Sequence, residues 1–140
     1  MGDIQEVRYE GIHCTLAIQR PSSDIVVVKL SGRDAGEFGD VSFQELAKDL
    51  ARNRQIELFI DARDVRGASI DVSNDWARWM RTNRAGFKQI NMLTGSRFVQ
   101  LTADFVLRFA ELGNIMRIYT EATAFDDALA HAVAEKRSAG

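Results

Sequence analysis

Two hydrophobic periods alternate along this chain. Cys14, Leu16 and Ile18 alternate with Thr15, Ala17 and Gln19, the period of two expected of a strand with one buried face. Pro21, Ser22, Ser23 and Asp24 supply a turn, and residues 25–30 follow as a β-branched run too apolar to face water on either side. The pair reads as a hairpin at the margin of a sheet. After the glycine-rich polar segment 32–40, Val41, Leu46, Ala47 and Leu50 recur at helical spacing and predict a helix through about Asn53.

Residues 55–61 carry Ile56, Leu58, Phe59 and Ile60. The run is too short for an independent helix and reads as a central strand ending at Asp61. A loop is expected over 62–71. From Val72, a stripe of Val72, Trp76, Trp79, Met80, Asn83 and Phe87 predicts a second helix, with Arg78, Arg81 and Arg84 off the stripe and Gly86 as terminator. Ile90, Met92 and Leu93 give a fourth strand. Ser96 is placed to cap a helix whose main stripe is Phe98, Leu101, Phe105, Phe109 and Leu112, ended by Gly113. Residues 116–119 give a fifth strand, and the alanine-rich segment 124–136, with Phe125, Ala128, Leu129, Ala132 and Val133 on one face, closes the chain as a helix.

The order ββαβαβαβα predicts a single α/β domain. Its mixed sheet has five strands, mostly parallel, and is joined by right-handed crossovers with about four helices. Residues 1–12 and 137–140 are expected to fray.

Composition narrows the classes. A chain of 140 residues, 46% hydrophobic and 27% charged, suits one soluble domain. Its net charge of −2 and pI near 5.7 argue against nucleic acid or anionic membrane as a general partner. Cys14 is the single cysteine, so no internal disulfide and no cysteine-built zinc site can form. No leader-like or membrane-spanning apolar run stands out, and a cytoplasmic location is expected.

Candidate chemistry concentrates at 56–79, where a rigid strand hands over to a helix and the polar side chains of Ser69, Asp71 and Ser73 lie between them. The strand Leu58, Phe59, Ile60, Asp61 leading into a polar loop, together with Thr123, Ala124, Phe125, Asp126, Asp127, Ala128 and Leu129 opening the last helix, resembles the STAS domain of bacterial anti-sigma-factor antagonists and sulfate-transporter tails. It is most similar to the STAS/SEC14-like, antagonist-like branch. The resemblance implies a non-catalytic signalling module with a protein partner, a kinase, an anti-sigma-like factor or another regulator. It also implies a phosphoacceptor in the loop. The antagonist pattern Asp-Ser-Ser-Gly is replaced here by Ala68, Ser69, Ile70, Asp71, Val72 and Ser73, so Ser69 and Ser73 are the only candidates near that position.

Blander roles compete at each residue. Asp71 and Ser73 are suited to capping the second helix, which leaves Ser69 as the more exposed hydroxyl. Asp61 suits acceptance of loop N–H groups better than ligand binding. Two indoles on neighbouring turns exceed what one helix-on-sheet layer ordinarily absorbs, so Trp79 with Met80 forms the expected contact patch, beside Trp76. On the third helix, Val99, Val106 and Leu107 widen the apolar face, which suggests a homodimer surface or an apolar ligand. No Cys–His or Ser–His pair and no dinucleotide fingerprint is present. The reading is therefore of no enzyme, no cofactor and no metal, but a regulatory module recognising a protein through Ser69, Asp71, Ser73, Trp76, Trp79 and Met80. The alternative is a carrier of an apolar or lipid-like molecule in a pocket near Trp79, Phe105 and Phe109.

Overall fold

A computed structural model describes residues 5–34 and 36–139. Six strands form one sheet in the sequential order β1 to β6. β1 (Gln5–Glu10), β2 (Cys14–Ser22) and β3 (Ile25–Asp34) pair antiparallel, and β3, β4 (Ile56–Ala68), β5 (Phe87–Thr94) and β6 (Met116–Tyr119) run parallel. The helices α1 (Val41–Arg52), α2 (Ile70–Thr82) and α3 (Arg97–Phe109) make the three crossovers, and α4 (Ala122–Ala139) closes the chain. This is the mixed, mostly parallel α/β sheet expected, with one strand more. Gln5–Glu10, expected to fray, instead pair with β2 as an edge strand, with Val7 opposite Ile18 and Tyr9 opposite Leu16. The alternating charges of Glu6, Arg8 and Glu10 on its other face suit an exposed edge. Residues 137–139, also expected to fray, continue α4, while residues 1–4 and 140 lie outside the described residues.

The run in β3 is apolar on both faces because both are covered. Val26 and Val28 join Leu58, Ile60, Ile90 and Ala103 in the core beneath α1, α2 and α3. Ile25 and Val27 join Phe59, Leu93 and Phe125 beneath α4. Arg20 of β2 fastens α1 to the sheet, its Nε 2.8 Å from Asp49 Oδ1 and its Nη2 2.9 Å from Oδ2, with Glu45 Oε1 at 3.3 Å.

The stripe expected on the second helix overruns it, since α2 ends at Thr82, a 3-10 turn spans Arg84–Gly86 and Phe87 opens β5; two further local expectations fail for identifiable reasons. β4 does not stop at Asp61; it continues to Ala68, pairing Asp64, Val65, Gly67 and Ala68 with Ser31, Gly32, Arg33 and Asp34 through shifts of register. Arg63, Asp64 and Arg66 are tolerated in a strand because none of them is buried. The second failure is the face of α3. Val99, Ala103, Val106 and Ala110 are buried, whereas Leu101, Phe105 and Phe109 are 58%, 40% and 43% exposed. Small side chains let the helix axis approach the sheet and α2 closely, which turns the larger ones outward. The side chain of Phe98 lies outside the described residues.

Candidate functional site

The strand-to-helix junction begins at Ser69, the N-cap of α2. Its extended backbone (φ −69°, ψ 160°) lets Oγ accept the Val72 N–H at 3.1 Å, satisfying one of the free donors of the first turn. Ser73 Oγ donates to the Ser69 carbonyl at 3.2 Å. Capping therefore falls to Ser69 and not to Asp71 or Ser73. Ser69 is half-buried, while Asp71 is exposed in the first turn, where its charge suits the helix dipole. Ile70, directly after the cap, is 78% exposed. The sequence signal for this feature is an isoleucine at the first helical position, two residues before the apolar stripe begins at Val72.

The tryptophans are packed within the chain. Trp76 meets Phe43 of α1 edge-on at 4.9 Å, and Trp79 stacks on the same ring at 5.2 Å. Met80 is 1% exposed and belongs to the core. Met80 thus cannot serve as a surface contact, and Trp76 and Trp79 are half-buried. Phe43, which absorbs both indoles, comes from α1, and its role could not be read from the α2 stripe alone.

Asp61 takes the structural role expected. Its Oδ1 accepts the Arg63 N–H at 3.2 Å and lies 3.0 Å from Arg63 Nε. Arg63 also reaches Asp126 Oδ1 at 2.6 Å, tying the first turns of α4 to β4. Hydrogen bonding to Asp126 and then Asp61 holds the Arg63 guanidinium above its already high ordinary range.

Between the sheet and helices α2 and α3 lies a cavity of about 70 Å³, bounded by Ile60, Val72, Trp76, Met80, Ala103 and Val106 among others. A pocket was expected between these layers, but Trp79, Phe105 and Phe109 do not line it. Phe105 and Phe109 stack on each other at 5.5 Å on the outer surface, with the Arg81 guanidinium 6.0 Å from the Phe109 ring.

Among the described residues no group of three or more His, Cys, Asp or Glu side chains is placed to hold a metal ion, and no helix is long and apolar enough to cross a membrane.

No protein-family model matches the chain, and no curated protein matches it in sequence. Solved structures do. An uncharacterised protein of the DUF3478 family with a SpoIIAA-like fold, from Shewanella loihica PV-4, superposes with a TM-score of 0.60 at 17% identity, over 86% of this chain and 98% of its own. The anti-sigma factor antagonist SpoIIAA in its unphosphorylated form superposes with a TM-score of 0.53 at 16% identity, over 82% and 96%. At these identities the likeness establishes the fold alone: the chain has a SpoIIAA-like α/β fold.

Proposed function

We propose that this chain is a non-catalytic regulatory module, similar in role to the anti-sigma factor antagonists whose fold it has, that recognises a protein partner through the outer surface of α2 and α3. The observation that carries the reading is the exposed apolar set of Ile70 on α2 and Leu101, Phe105 and Phe109 on α3. The two helices run in the same direction, since Arg84 near the end of α2 meets Glu111 just past the end of α3 at 3.6 Å. Ile70 and Leu101 therefore belong to one end of the helical layer. Large apolar side chains left exposed on neighbouring helices, with charged residues around them, are a mark of interaction sites. Asp71, Ser69 and Ser73 provide the polar margin, and Trp76 and Trp79 fix α2 against Phe43 of α1. A phosphate on Ser69 or Ser73 would add charge beside Ile70 and repel an apolar partner surface.

The test is affinity capture from native extract with the intact chain and with Ile70→Asp/Phe105→Asp, followed by mass spectrometry. A partner retained by the first and lost by the second, with both proteins folded, supports the surface. Identical capture profiles sink it. Sedimentation of the same pair separates self-association from a foreign partner.

The cavity favours a second reading, a carrier of a small apolar molecule. Its volume of about 70 Å³ is well below the ~300–1,000 Å³ of ordinary ligand pockets, so in this conformation it admits a molecule of a few heavy atoms and not a lipid. Native mass spectrometry after gentle purification decides: a copurifying apolar adduct supports the carrier, and its absence counts against it.

A further inference from the structure

The parallel pair β3–β4 is irregular at its carboxyl end. Its register shifts twice there, between Lys29 and Ser31 and between Gly32 and Arg33. Such bulges re-aim side chains and gather near binding sites. Gly32 has φ +83°, and a Cβ at this position would lie 2.1 Å from the His13 carbonyl oxygen. That close approach lets the Arg33 N–H donate to the same oxygen at 2.9 Å and draws the β1–β2 turn onto β3. The turn is held from its other side by Glu37, whose carboxylate accepts the Ile12 and His13 N–H groups at 2.7 and 3.3 Å.

The result is a groove of about 560 Å³ lined by His13, Ser31, Gly32, Arg33, Asp64 and Arg66, a size ordinary for small-molecule sites. Arg33 and Arg66 are exposed, and neither makes an ion pair among the described residues. Arg63, by contrast, is taken up by Asp61 and Asp126. Among its described lining residues two guanidinium groups stand against one carboxylate, an excess of positive charge on a chain whose net charge is −2.

We propose that this groove binds a small hydroxylated phosphate monoester. The planar guanidinium groups of Arg33 and Arg66 match phosphate oxygens with paired donors. Asp64 repels the phosphate itself, and so takes the ester's hydroxyl groups as their hydrogen-bond acceptor, while the Ser31 hydroxyl is already paired with that of Thr15. The groove shares Ser31 and Gly32 with the wall of the apolar cavity, but none of its lining residues belongs to α2 or α3, so the site is separate from the partner surface proposed there.

The test is an amide NMR titration of the whole chain with glycerol phosphate, inorganic phosphate, glycerol and sodium chloride at matched ionic strength. Expected are saturable shifts confined to residues 31–33 and 64–67 with both phosphates, tighter for glycerol phosphate, and none with glycerol or chloride. Arg33→Gln/Arg66→Gln is expected to weaken binding about tenfold or more with an unchanged melting temperature. Asp64→Asn is expected to abolish the preference for glycerol phosphate over inorganic phosphate. Shifts that fail to saturate, or that chloride reproduces, overturn the site. Equal binding of the two phosphates by the unaltered chain overturns the ester class.

Discussion

Trp79 of α2 lies flat on Phe43 of α1, ring centroids 5.2 Å apart and planes 17° apart, and meets Phe87 at the start of β5 edge-on at 5.8 Å. One indole therefore joins two helices to a strand. Aromatic pairs in these geometries contribute beyond the area they bury. Trp79→Ala is expected to cost about 3–5 kcal/mol, against less than about 0.5 kcal/mol for Ile70→Ala at the exposed start of the same helix. Urea unfolding compares them. A cost near zero at Trp79 would return that residue to the surface patch.

The ion pair of Arg20 with Asp49 is buried, Asp49 being 1% exposed. Removing the cation alone strands a carboxylate away from water. Arg20→Ala is expected to lose about 3–5 kcal/mol, whereas Arg20→Met/Asp49→Leu recovers most of it. A double-mutant cycle in denaturant reads the difference. Equal stability of the single and double variants would show that the pair is not buried in solution.

Glu45 carries a pH dependence. Hydrogen bonding to Lys48, then attraction from Lys48 and the hydrogen bond from Arg20, holds its carboxyl below the ordinary range against an opposing effect of burial. A folded-state value below the unfolded one means the stabilisation is fully present above about pH 4.3 and is lost as pH falls through the depressed folded value. Glu45→Gln should therefore flatten the fall in melting temperature below that pH. Parallel acid profiles for the two proteins would contradict this.

Ser69 is expected to act as a cap. Ser69→Ala should cost about 1 kcal/mol and Ser69→Gly only a few tenths, because glycine tolerates the cap conformation that alanine leaves without an acceptor. Ser73→Ala, which removes only a donor to a backbone carbonyl, should cost less than Ser69→Ala. Thermal unfolding ranks the three, and a larger loss at Ser73 would move the cap.

Much of the fold was legible because local chemistry and tertiary placement agree there. The helix predicted from Val41 spans Val41–Arg52. Ser96 caps α3 through the Val99 N–H at 3.2 Å, and the strand expected at 116–119 is Met116–Tyr119. β1 was missed because Gln5–Glu10 is too polar on one face to show as an apolar run. The second half of β4 was missed because Arg63, Asp64 and Arg66 read as loop where the strand simply faces water. At the candidate site, the position of the strand-to-helix junction was legible, but its cap, its exposed isoleucine and the burial of Met80 were not.

The sequence by itself determined the alternation of strand and helix, the double-faced burial of β3 and the order of crossovers, since periods of 2 and 3.6 and short-range capping are properties of the local chain. Tertiary structure alone decided which of two apolar stripes on α3 faces inward. Leu101, Phe105 and Phe109 are the more hydrophobic, yet Val99, Ala103, Val106 and Ala110 fit the distance that the sheet and α2 impose. The same constraint put Trp76 and Trp79 on Phe43, a residue of another helix. A stripe has a direction only once its partner is in place.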